Sequence, residues 1–175
     1  MVSLDKLIDR SVSALEKRDA LELRTVSADA LTEAAVEGHR ELILIALVDY
    51  ALSKIMSKVR YGEMDRKFYD SVMGNFLAAK AGPKEVTLKS LEAIENSVIK
   101  LDAKEGNYID NVMDKARLKK AAALYEKGLS LKRASELTGA DPARVLEFIG
   151  GSKMHEFGGG RNAERLKVAR EVFAG

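Results

Sequence analysis

The chain has 175 residues, 29 Lys+Arg against 27 Asp+Glu, two His and no Cys. Hydrophobic residues at 46% and charged residues at 32% exclude a disordered polyelectrolyte and allow one ordinary domain or two small ones. The lack of Cys excludes disulfides, thiolate catalysis and Cys-bound zinc, and His39 and His155 are too few for a histidine metal site.

Two Pro, few aromatics and many Ala, Leu, Glu and Lys favour helix. No Gln and five Asn, beside so many pairable charges, hint at a heat-adapted source. The start, Met1-Val2-Ser3-Leu4-Asp5-Lys6, has no basic stretch followed by an apolar run, so a cytoplasmic protein without a signal peptide is expected. Ser3 is a cap for a first helix whose apolar stripe is Leu4, Leu7, Ile8, Val12 and Leu15.

A long helical stretch follows from about residue 28 to 61, with Gly38 as a break or kink. Its run Leu42-Ile43-Leu44-Ile45-Ala46-Leu47-Val48 falls far short of the roughly 20 apolar residues of a membrane span. That run predicts a helix enclosed by protein or packed in an oligomer. Asp49, next to it, is expected at the exposed edge of the helix or paired with a Lys or Arg; the alternative is a buried acid with a raised pKa.

Phe68, Tyr69, Val72, Met73, Phe76 and Leu77 mark another helix; Leu88, Leu91, Ile94, Val98 and Leu101 the next; Ile109, Val112, Met113 and Ala116 a further one. Thr87, Asn107, Ser130 and Asp141 are expected starts, and Gly62, Gly82, Gly106, Gly128, Gly139 and Gly150 expected ends. The fold class is therefore all-α: a bundle of four to five long helices, a C-terminal helix-turn-helix and a final short helix. The expected domains are an acidic bundle over 1–114, the helix-turn-helix over 115–150, and a Gly-rich hinge with a basic amphipathic helix over 151–175.

Charge supports that division. Residues 1–114 hold 16 basic and 20 acidic side chains, and residues 115–175 hold 13 and 7, so −4 is joined to +6. Within 115–150, a helix stops at Gly128 and a second, Ser130-Leu131-Lys132-Arg133-Ala134-Ser135-Glu136-Leu137-Thr138-Gly139, leads into a third from Asp141-Pro142. Small Ala134, a left-handed turn at Gly139, and Leu137, Val145 and Phe148 as wedge residues specify a helix-turn-helix core. The stretch Ala122 to Gly150 resembles the helix-turn-helix of small prokaryotic antitoxins and transcription regulators, carried by Leu124-Tyr125 with Gly128 and Ser130, and by Ala134-Ser135-Glu136-Leu137-Thr138-Gly139. The resemblance implies DNA contact through the third of these helices, from Asp141. There, however, Asp141, Pro142, Ala143 and Glu147 hold the outward positions, and Arg144 is the one donor suited to a base edge.

After Gly158-Gly159-Gly160, read as a hinge, Arg161 to Phe173 forms an amphipathic helix. Lys132, Arg133, Arg144, Lys153, Arg161, Arg165, Lys167 and Arg170 are the candidate phosphate contacts. Glu33, Glu37 and Glu41 stand four apart near His39, a row expected to be solvated rather than metal-binding. No nucleophile elbow or phosphate loop occurs, so no catalytic residue, metal or cofactor is expected. The leading expectation is a DNA-associated regulatory protein whose N-terminal bundle oligomerises or binds a partner. The alternative is a non-enzymatic module whose helix-turn-helix docks a protein. A homo-oligomer, with no membrane partner, is expected under both.

Overall fold

The computed structural model describes residues 2–57, 66–104 and 111–157, apart from the side chains at 104 and 152–157. Among the described residues there are eight helices and no strand. They are α1 (Leu4–Glu16), α2 (Ala20–Glu37), α3 (Arg40–Met56), α4 (Arg66–Ala81), α5 (Lys84–Lys104), α6 (Val112–Glu126), α7 (Leu131–Thr138) and α8 (Pro142–Phe157). The all-α expectation holds. Asn107, Gly62 and Gly106 lie outside the described residues.

α3 is the axis of the molecule. Every residue from Glu41 to Asp49 is buried, and α2, α5, α6, α1 and α7 pack around the helix. No helix among the described residues is long and apolar enough to cross a membrane. α2 meets α3 through its small residues Ser27, Ala30 and Ala34, all with no exposed surface, which lets the backbones approach. Fully buried Ser27 donates from Oγ to the Ala46 carbonyl at 2.5 Å and ties the two helices together.

Local chemistry sets the helix ends. Ser3, Ser130 and Asp141 accept from the backbone N–H groups of Lys6, Arg133 and Arg144, as expected of caps. Asp19 caps α2 by accepting from the N–H groups of Leu21 and Glu22, and Arg18 turns the chain at φ 53°. Gly38 ends α2 in the left-handed region at φ 68°, so the long stretch is two helices and not one kinked helix. Thr87 is not a start. α5 begins at Lys84 behind Pro83, and the Thr87 hydroxyl donates to the Ala79 carbonyl at 2.8 Å, locking α5 against α4. Gly150 is not an end either, because α8 runs through Gly150 and Gly151 to Phe157.

The charge boundary at residue 114 is not a packing boundary. Val112, Met113, Ala116 and Leu124 of α6 and Ala134 of α7 belong to the same apolar core as α1–α5. A second, smaller core joins Ala121 and Ala122 of α6 to Val145 and Ile149 of α8, closed by Leu118, Leu131 and Ala140.

Candidate functional site

Two places bring chemistry-bearing side chains together. The first is the C-terminal unit of α6, α7 and α8, which pack on one another in all three pairings. Of the expected helix-turn-helix core residues, Ala134 and Val145 are fully buried and Gly139 turns the chain at φ 70°. Leu137 is half-buried and packs against the main core. Phe148 corrects the expectation: it is 40% exposed, and Ile149 takes the inward place. The register explains the exchange, since Ile149 is one helical turn from Val145 on the same face and Phe148 is rotated off it.

Among the expected phosphate contacts, Lys132 and Arg133 are exposed on the first turn of α7, with Arg133 3.9 Å from Glu136. Arg144 is exposed, but its guanidinium lies 3.6 Å from Asp114 of α6. Asp114 also meets Arg117, which reaches Glu95 of α5 at 2.8 Å. These pairs link α5, α6 and α8. The Lys153 side chain, and Arg161, Arg165, Lys167 and Arg170, lie outside the described residues.

The second place is the contact between α3 and α6. Asp49 has no exposed surface, which overturns its expected position at a helix edge. Its Oδ2 is 2.7 Å from Ser11 Oγ, and Ser11 Oγ is 3.0 Å from the Leu7 carbonyl. A serine has one hydroxyl hydrogen. Ser11 therefore has one hydrogen to donate between the Asp49 carboxyl and the Leu7 carbonyl. Burial, against the weaker opposing pulls of Ser11, Lys120 and Arg10, pushes the Asp49 carboxyl up to about 8. Asp49 Oδ1 has no hydrogen-bond partner among the described residues.

Lys120, 7% exposed, enters the same contact from α6. Burial first and the Lys119 charge second bring its ammonium down to about 8, against the pull of Asp49. Its Nζ lies 5.1 Å from the centre of the Tyr50 ring, with Lys119 Nζ at 5.3 Å and Lys54 Nζ at 5.5 Å. Three ammonium groups thus surround one aromatic ring at cation–π range. Lys54 stands one turn after Tyr50, a readable spacing. The pairing of Tyr50 with Lys119 and Lys120 has no signature in the sequence, because packing of α3 on α6 creates it.

In comparisons with known proteins, no family model, curated protein or solved structure matches the chain.

A cleft of about 530 Å³ lies across the chain start, the α2–α3 turn and the α4–α5 turn, lined by Asp5, Glu37, His39, Glu41 and Lys84 among others. The row Glu33, Glu37, Glu41 does not survive, because Gly38 ends α2 before Glu41. Glu33 accepts from the Val2 N–H, Glu37 lies 3.1 Å from His39 Nδ1, and buried Glu41 lies 3.6 Å from Lys84. Among the described residues no three His, Cys, Asp or Glu side chains are grouped to hold a metal ion.

Proposed function

We propose that this is a non-enzymatic interaction protein whose C-terminal three-helix unit docks a protein through the outer arc of α8, with a second copy of the chain as the occupant. The observation that carries this reading is the composition of that arc. At 100° per residue, Val145 and Ile149 point inward and Ala143, Arg144, Glu147, Gly150 and Gly151 point outward. Half-exposed Leu146 and Phe148 flank them on either side. Among the described residues nothing lies within reach of a side chain at Gly150 or Gly151, so no described contact requires glycine there. Each glycine weakens a helix interior by about 1 kcal/mol relative to alanine. An arc of small residues lets another helix approach closely. Its charges are self-complementary: two antiparallel α8 helices centred between residues 145 and 146 set Arg144 of each copy opposite Glu147 of the other, where it exchanges its exposed 3.6 Å contact with Asp114 for that carboxylate.

Sedimentation equilibrium tests the reading. Arg144→Glu or Glu147→Arg alone should weaken self-association at least tenfold, and the double exchange should restore it. A chain that stays monomeric at high micromolar concentration, or a dimer indifferent to both changes, would refute it.

A second reading, a DNA-associated regulator, is favoured by Lys132 and Arg133, which stand exposed at the start of α7 within residues 115–175, the last third of the chain, which carries +6. The arc of α8 is poor for reading bases, because Asp141 and Glu147 are acidic and Arg144 is turned to Asp114. DNA contact would therefore fall on phosphates, and its affinity would drop with salt at a log–log slope of about −0.9 per phosphate neutralised. Fluorescence anisotropy on random duplex at two salt concentrations separates the readings.

A further inference from the structure

We propose that Lys54, Lys119 and Lys120, gathered around Tyr50 between α3 and α6, form a binding site for a phosphoryl group. All three ammonium groups lie within 5.5 Å of the centre of one ring. None has an ion-pair partner among the described residues. Asp49, the carboxyl that pulls on Lys120, is sealed in the core, where burial holds its proton at neutral pH. The cluster therefore carries a charge close to +3 that no described residue balances.

Its construction goes beyond a solvated patch. Lys120 is nine-tenths buried as a residue, and that burial disfavours its charged ammonium. An anion seated beside it relieves the cost. Lys119 is exposed and Lys54 and Tyr50 are half-buried, so an anion reaches the cluster from solvent. Three ammonium groups supply nine N–H donors. A carboxylate of charge −1 with two oxygens leaves most of these unused. A phosphoryl group, at close to −2 with at least three terminal oxygens, matches both the charge and the donors. The site is independent of the α8 arc, and either can fail without the other.

The test is isothermal titration of the full chain with inorganic pyrophosphate at low ionic strength, for wild type, Lys54→Ala, Lys119→Ala and Lys120→Met. A parallel anisotropy titration uses random duplex. Lys54 and Lys119 lie at the solvent side, so their variants keep the fold, checked by circular dichroism. Pyrophosphate affinity falling at least tenfold in Lys54→Ala and Lys119→Ala supports the site and assigns it to a small phosphorylated ligand. Loss confined to duplex binding, with a shallower salt slope in each variant, also supports the site and assigns the phosphate to a nucleic-acid backbone. If neither probe binds, or binding ignores all three substitutions, the proposal is wrong.

Discussion

Replacing Asp49 with Asn should stabilise the protein, and increasingly so from pH 5 to pH 8. The unfolded chain releases this proton near the ordinary value of 3.8, while the folded chain holds it to about 8. Between those values the native state binds one proton more than the unfolded state, so stability falls as pH rises. Each pH step costs about 1.4 kcal/mol, so the roughly three steps from 3.8 to 7 set a ceiling of about 4 kcal/mol at neutral pH. Asn keeps the shape and an amide oxygen that accepts from Ser11 Oγ, but an amide hydrogen is left without an acceptor, a loss of about 1 kcal/mol. The expected net gain at pH 7.5 is about 1–3 kcal/mol, which raises Tm by roughly 2–4 °C per kcal/mol in a chain of this size. Lys120 works in the opposite sense: its folded value is about 8 against 10.5 unfolded, so its contribution recovers as pH rises from 8 to 10.5. Wild-type stability in urea should therefore pass through a minimum near pH 8, and Asp49→Asn should lose the descending limb and keep the ascending one. A variant that is instead about 3 kcal/mol less stable, with the deficit largest at neutral pH, would mean that Asp49 is ionised against Lys120 and would refute the reasoning.

Gly82→Ala should lose about 1–3 kcal/mol by urea unfolding, because a Cβ there meets Val86 Cβ at 2.7 Å and the Ala78 carbonyl at 3.0 Å in the turn joining α4 to α5. Ser27→Ala removes the buried bond to Ala46 and should lose about 1 kcal/mol in the same assay. Arg117→Ala cuts the link from Glu95 to Asp114; hydrogen exchange should then show α6 and α8 opening more often, while α2 keeps its protection. Gly150→Ala should raise the thermal stability of isolated chains by up to about 1 kcal/mol, with the gain shrinking at concentrations where copies pair.

Much of the helical frame was legible because local chemistry writes it. Ser3, Ser130 and Asp141 cap where their positions before apolar stripes said they would. The α1–α2 break carried a signal that went unread: Asp19 has Glu22 three residues on, the spacing of a capping box, with no glycine or proline to draw attention to it. Gly150 misled in the other direction. Glycine marks a helix end only when the chain needs a left-handed residue there, and in α8 it does not. The phosphate candidates on α7 were readable as exposed positions. The Tyr50 cluster was not, because some seventy residues separate the ring from Lys119 and Lys120, and only tertiary packing brings them together.

The same helix resolves the tension between the charge split and the single core. α6 begins where the acidic half ends, yet its inward face completes the bundle with Met113, Ala116 and Leu124, while Ala121 and Ala122 support α8. Lys120 lies on the side that meets α3, so part of the positive charge counted with the C-terminal region is spent inside the bundle, beside Asp49 and Tyr50. A net +6 over residues 115–175 therefore overstates the charge available to a partner at the C-terminal unit. Arg117 and Arg144 reduce it further through Glu95 and Asp114. What α8 presents outward is nearly neutral and small, which suits a helix more than a polyanion. Positive charge that no described residue pairs gathers instead at the seam between α3 and α6, where Lys54 and Lys119 reach solvent. Packing thus favours that seam over α8 for the proposed phosphoryl group.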